Sequence, residues 1–297
     1  MLPFNLATIT IRLSGFAFTQ QFARPIVAVG VSMLVLSGCT EAPMTRGGSL
    51  SSYKSMTPSD GVLTKSFVRI SKDKVLAART LRIVPTAFAK AASPTLSTAQ
   101  RILVGNAVDR SVCLGLSDRF QIVLPNEPAD LTVRAIVTHA AATDEIVAGA
   151  SKIASVIPAV LSLGVPVPIP RIPIGLGSLT IEAEAMDNTN AQQAAMIWAR
   201  GADSITTSPK ISKVADAYTL ATSFGADFSH LLVTGNSPFG KLPYAPPLEK
   251  IASAFEGKVT TACERFGRDP GIQGMVADVI GLPPEWSDDG ATPANKP

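Results

Sequence analysis

The sequence predicts an α/β fold, a two-layer sandwich in which a mixed sheet packs on two amphipathic helices. Two observations predict the sheet. Leu131–Thr138 and Ser178–Met186 alternate apolar and polar residues with the two-residue period of a half-buried strand. Asp187, Asn188, Thr189 and Asn190 then supply turn chemistry before a return strand at Ala194–Ala199. One observation predicts the helices: apolar residues recur at the helical period after Ser97 and again from Ser212.

In chain order, the first 38 residues hold Arg12 and Arg24 and no acid. Residues 25–38 form an uncharged apolar run. A helical span of a bilayer takes roughly 20 apolar residues, so this run fits the core of an export signal with a basic flank. It ends in Leu36, Ser37, Gly38 and Cys39, which resembles the lipobox of bacterial lipoproteins. The resemblance implies cleavage before Cys39 and a diacylglycerol on its thiol. Several acyl chains, at about 0.8 kcal/mol per buried CH₂, make a stable anchor where one is marginal. Thr40 stands where aspartate would signal inner-membrane retention, so the implied address is the periplasmic face of an outer membrane. Residues 39–62, rich in Ser, Gly, Thr and Pro, read as a flexible tether. The folded part is expected over 63–235, with a C-terminal extension over 236–297.

Within the folded part, Val75–Val84 is β-prone and stops at Pro85. Ser97 is placed to cap a helix carrying Ala99, Leu103, Ala107 and Leu114 on one face. Phe120–Leu124 reads as a short strand ending at Pro125. In the next strand Leu131, Val133, Ala135 and Val137 oppose Thr132, Arg134, Ile136 and Thr138. In the hairpin Leu179, Ile181, Ala183 and Ala185 oppose Thr180, Glu182 and Glu184. The final helix, capped by Ser212, stripes Val214, Ala217, Tyr218, Ala221, Phe224, Phe228 and Leu231, and Gly235 ends it. A weaker helix is expected over Leu248–Phe266, and the residues from Pro283 onward read as frayed.

An insertion at about 144–177 interrupts this order. Its core, Ile153–Gly177, has five prolines and one charge, Arg171. Prolines exclude a regular membrane helix and an interior strand. The segment either folds back over the open end of the core or contacts an envelope partner, a second copy or a membrane surface.

The chemistry is sparse. Without the first 38 residues the formal charge falls from +3 to +1, which offers no electrostatic pull on nucleic acid. His139, on the apolar-facing register of its strand, and His230, off the helix stripe, have no Cys, Asp or Glu at metal-ligand spacing. Glu182 and Glu184 share a strand face, but it is the face opposite the apolar one, so both are expected in water. Gly235–Lys241 has phosphate-loop spacing, yet Leu242 replaces the magnesium-binding hydroxyl and Pro238 removes a cradle amide. Cys113 and Cys263 are an even remainder in a disulfide-permitting space. They either pair or sit apart as buried thiols, and the helical setting of Cys113 leans to the latter. No metal, no cofactor and no enzymatic activity are expected.

Several stretches carry a resemblance. They are Gly47-Gly48-Ser49-Leu50-Ser51-Ser52-Tyr53, Asn106-Ala107-Val108-Asp109-Arg110, Leu116–Phe120, Pro128–Leu131, Pro170–Gly177 and Ala215-Asp216-Ala217-Tyr218. Over roughly 47–235 the chain resembles the family of bacterial lipoproteins catalogued as domain of unknown function 3313, which implies no established activity. More loosely, the element order resembles the α/β domain of the curli-secretion lipoprotein, the Tol amino-terminal domain and a penicillin-binding-protein activating lipoprotein. That is a likeness of fold alone. The expected function is a non-enzymatic binding or scaffold module of the cell envelope, anchored to the membrane through Cys39. The alternatives are an oligomeric part of a secretion or pore assembly, and an envelope-polymer hydrolase.

Overall fold

In the computed structural model of the protein the described residues are 42–44, 46–151, 174–203, 207, 209–239, 261–267 and 282–288. The chain divides into Met1–Gly38 and Cys39–Pro297, and every described residue belongs to the second unit. The expected leader, Cys39, residues 152–173 of the insertion and residues 248–260 of the weaker helix lie outside the described residues.

The α/β sandwich is present, with one mixed sheet of eight strands among the described residues. The strands are β1 (Thr57–Pro58), β2 (Thr64–Ile70), β3 (Thr80–Ile83), β4 (Ala87–Phe88), β5 (Gln121–Ile122), β6 (Leu131–Ala141), β7 (Ser178–Asp187) and β8 (Gln192–Gly201). Their order is β1-β2-β8-β7-β6-β3-β5, with β4 also on β6. The ladders from β1 through β6 are antiparallel; β3, β4 and β5 join in parallel. The β7–β8 hairpin closes as its turn residues require. Asn190 takes a φ of 62°, and the Asp187 carboxylate accepts the Thr189 hydroxyl and the amides of Thr189 and Ala191. Those bonds, led by the Thr189 hydroxyl, hold Asp187 down to a pKa of about 2.

The helices whose bounds fall among the described residues are α1 (Lys72–Ala77), α2 (Thr98–Ser117), α3 (Ala215–Thr234) and α4 (Pro284–Ser287), and residues 145–151 are also helical. α2 opens on a reciprocal cap, in which Ser97 Oγ accepts the Gln100 amide and Gln100 Oε1 accepts the Ser97 amide. α3 ends at Gly235 with a φ of 67°. The apolar stripes of α2 and α3 cover the face bearing Leu131, Val133, Ala135, Val137, Ile181, Ala183 and Ala185. Trp198 of β8 meets Phe224 edge-on at 5.8 Å, and Phe224 stacks on Phe228 at 5.6 Å. Truncating Phe224 to Ala in such a core costs about 3–5 kcal/mol. α2 and α3 approach closely because small residues meet where they cross. A Cβ on Gly225 would lie 2.1 Å from Ser111 Oγ. Cys113 of α2 is joined to Cys263 of a 3₁₀ turn, Thr261–Phe266, with Cα atoms 5.7 Å apart.

Five local expectations are corrected. Val75, Leu76 and Ala77 of the expected strand belong to α1, because Lys, Leu and Ala outweigh a single β-branched residue; the strand begins only at Thr80. Phe120–Leu124 pairs only at Gln121 and Ile122. α3 starts three residues after Ser212, whose hydroxyl accepts the Val214 amide and donates to Glu285 instead of capping. β6 slips register between Val137 and His139, which hands the buried position to Ala140. His139 then lies 3.1 Å from Ser178 Oγ, and partial burial lowers its pKa. Finally, residues 283–288 are not frayed: Asp288 is buried against α2 and α3.

Candidate functional site

Strand alternation puts Glu182 and Glu184 on one face of β7, opposite Ile181, Ala183 and Ala185. Both acids are buried, at 1% and 0% exposure, which corrects the expectation that they face water. What covers them is the segment expected to be a loose tether. Residues 42–44 and 46–53 form a strap across the face of the sheet that the helices leave open.

The fastening is specific. Glu182 Oε1 accepts the Gly47 amide at 2.6 Å; its Oε2 accepts the Ser49 amide at 3.0 Å, the Ser49 hydroxyl, and the Tyr53 phenol at 2.7 Å. Glu184 Oε2 accepts the Ser51 amide at 2.9 Å, the Ser51 hydroxyl at 2.6 Å and the Gln192 side-chain amide at 2.7 Å. The Arg134 guanidinium, directly across the β6–β7 ladder, reaches Glu184 Oε1 at 2.5 Å. A carboxylate offers about four lone-pair positions. Each of these two meets four donor groups, three of them on Oε2 and one on Oε1.

Local sequence makes the strap fit. Gly47 lies so close to β6 that a Cβ there would sit 2.3 Å from Thr138 Cγ2, and Gly48 takes a φ of +75°. Leu50 turns inward onto Ala195 and Ile197, with Met44, Tyr53, Met56 and Phe67 around it. The strap runs alongside β7 in the same direction. Pro43 O accepts the Thr180 hydroxyl, Gly47 and Ser49 sit at Glu182, and Ser51 sits at Glu184.

The charges are compensated in place. Burial alone would raise the Glu184 pKa. The Ser51 hydroxyl, the Gln192 amide, the Ser51 backbone amide and the Arg134 charge outweigh it, and the net shift is downward. Burial, aided by the bond to Glu182, raises the Tyr53 phenol above its ordinary value.

The other acids of the recognised stretches do the same kind of work. Asp130 accepts the amides of Thr80 and Arg79 and is held below the usual carboxylate range by them. Asp109 accepts the Thr86 amide and hydroxyl, and burial pushes it up to about 7. Asp216, at the start of α3, accepts the Gly177 amide at 2.7 Å. Arg110 and Tyr218 grip Asp288, at 2.6 Å each. Every one of these polar residues fastens a segment distant in sequence.

Of the residues singled out from the sequence, Cys39 lies outside the described residues, and Cys113 and Cys263 are bridged. The two histidines belong to different elements, β6 and α3. Arg134, Gln192, Ser49, Ser51 and Tyr53 were not singled out as site residues. Their signal was the glycine- and hydroxyl-rich run 47–53, together with two acids on one strand of a sheet. Among the described residues no group of three or more His, Cys, Asp or Glu side chains is arranged to hold a metal, and no helix is long and apolar enough to cross a membrane.

Fold and clasp define an α/β sandwich whose second sheet face is closed by its own N-terminal segment. The model described as Protein of unknown function (DUF3313) matches residues 45–228, and the chain belongs to that family. The match begins in the strap and ends in α3, so the clasp lies within it. No curated protein matches the chain. Among solved structures, the PelC dodecamer from Paraburkholderia phytofirmans is similar over 57% of this chain and 97% of its own, at 10% identity and a TM-score of 0.32. A DUF330 protein from Xanthomonas campestris is similar over 53% and 85%, at 12% identity and a TM-score of 0.30. A DUF4136 family protein from Bacteroides thetaiotaomicron is similar over 58% and 97%, at 9% identity and a TM-score of 0.28.

Proposed function

We propose that this protein is a lipid-anchored envelope lipoprotein that serves as a non-enzymatic binding or scaffold module, held by acyl chains on Cys39 at the periplasmic face of an outer membrane. The observation that carries the reading is the clasp. The segment immediately after the lipobox-like Leu36-Ser37-Gly38-Cys39 is fastened to the centre of the sheet through two buried carboxylates. Six hydrogen bonds from this segment to the two carboxylates couple a pull on Cys39 to the sheet. The Cys113–Cys263 bridge suits an oxidising compartment outside the cytoplasm. The buried polar residues of the family stretches are spent on fastening segments, which suits a rigid adaptor better than a catalyst.

The test is metabolic labelling with radioactive palmitate of cells producing the wild-type chain or Cys39→Ala, followed by membrane fractionation. The wild type is expected to take up label and sediment with outer membrane; the variant loses label and appears in the soluble envelope fraction. An unlabelled wild-type chain would overturn the anchor.

A further inference from the structure

We propose that the end of the domain at the start of β7 is a bilayer-contact surface, pressed against the membrane that the lipid enters. The proposal rests on the anchor reading above and adds to it an orientation and a second, protein-made membrane contact.

Three lines converge on that end. The first is the direction of the strap. It passes Ser51 at Glu184, Gly47 at Glu182 and Pro43 at Thr180, so towards its beginning it approaches the start of β7 at Ser178. Ala42 is buried there, and Cys39 precedes it by three residues. At the reach of an extended chain, Cys39 stays within about 11 Å of Ala42. A lipid on Cys39 would therefore start within that distance of this end of the sheet.

The second line is an exposed apolar set at the same end. Ile146, Ile174, Ile211 and Trp286 are 84%, 61%, 51% and 76% exposed. Single exposed apolar residues are ordinary on a protein surface. These four come from four separate segments whose neighbouring residues are joined to one another. The Asp144 amide donates to Gly175 O at 2.8 Å, joining the turn before Ile146 to the residue after Ile174. A Cβ on Gly149, three residues beyond Ile146, would lie 3.6 Å from Ile211 Cδ1. Ser212, next to Ile211, donates to Glu285, next to Trp286, at 2.7 Å. The Thr143 amide donates to Lys213 O, closing the set over the ends of β6 and β7.

The third line is the identity of the largest member. An exposed tryptophan is costly in water and favourable at headgroup depth, where its ring is half in hydrocarbon and its N–H stays wet. Exposed isoleucines at the same end add apolar area for the same interface. A bilayer is the occupant that both the lipid exit and this composition select.

The chain has two tryptophans, and they report separately. Trp198 is fully buried in the core, and Trp286 is exposed. The lipidated chain is reconstituted on vesicles of phosphatidylethanolamine and phosphatidylglycerol, with and without brominated acyl chains, and vesicle flotation is scored in parallel. The expected result is that the protein floats, its emission shifts to the blue and brominated lipid quenches it. Trp286→Phe, left with Trp198, is not quenched. Ile146→Asp combined with Ile211→Asp still floats through its lipid and loses most of the quenching. If the protein floats while Trp286 stays open to acrylamide and blind to bromine, the contact surface is wrong and the anchor stands. If Trp286 is shielded from acrylamide yet blind to bromine, a second copy covers the patch and the proposal falls. If the chain does not float at all, the anchor fails and the orientation falls with it.

Discussion

Glu182→Ala should release the strap while leaving the sheet intact. The substitution removes one acceptor group from four donors: the amides of Gly47 and Ser49, the Ser49 hydroxyl and the Tyr53 phenol. A hydrogen bond to a charged group is worth about 1.5–3 kcal/mol, so four together would exceed about 6 kcal/mol. That sum is not realised. Gly47 and Gly48 are exposed, and a strap that lifts recovers water at its donors. The loss that remains is that of one or two such bonds, about 3 kcal/mol. At 1.36 kcal/mol per tenfold, the strap opens about a hundredfold more often. Amide hydrogen exchange followed by NMR reads this directly. The amides of Gly47, Ser49 and Ser51 should exchange about a hundredfold faster, while those of the β7–β8 ladder keep their protection. Glu182→Gln keeps an acceptor oxygen without the charge; neutral bonds are roughly half as strong, so about tenfold is expected. Unchanged exchange in Glu182→Ala would refute the clasp. Lost protection across the whole sheet would show that Glu182 supports the core rather than the strap.

Three further outcomes are expected. The Cys113–Cys263 bridge spans a sequence separation of 150. On the chain-entropy model it contributes about 5 kcal/mol, and at about 2–4 °C per kcal/mol its reduction should lower Tm by about 10–20 °C in calorimetry; a shift within a degree or two would contradict this. Arg110→Ala takes the counter-charge from Asp288, whose fully buried side chain keeps the Tyr218 hydroxyl, and should cost about 3–5 kcal/mol in denaturant titration. Asp109 is raised from 3.8 to about 7 by burial, against the bonds from Thr86 and the charge of Arg265. The stability its protonated form contributes is complete below about pH 4 and is lost as pH rises through about 7. The gap between wild type and Asp109→Asn should therefore change over that window, with the wild type losing ground toward neutral pH; parallel pH profiles of the two chains would show that Asp109 does not titrate there.

The periodicities of β6 and β7 stated which residues lie on each sheet face, and the structure keeps both assignments through Val137 and Ala185. Ser97 announced the start of α2, and Gly235 the end of α3, because caps are local chemistry written within a turn of the helix end. The resemblance at 47–53, 106–110 and 215–218 was equally visible, and the family match bears it out. The role of those stretches was not visible. Glu182 and Glu184 were correctly assigned to the non-apolar face and wrongly assigned to water.

By itself, then, the sequence determined the sandwich, the hairpin and the facing of the β6 and β7 side chains as far as Val137 and Ala185, since those follow from periods of two and 3.6 residues within one element. Only the tertiary structure decided what lies against the second face of the sheet. Ser49 and Ser51 find their acceptors 133 residues away, and Arg110 finds Asp288 178 residues away. A glycine- and serine-rich segment has no period of its own and reads as a tether until the carboxylates that hold it are in place. Folding across that distance turns an acid from a solvated charge into a buried fastener.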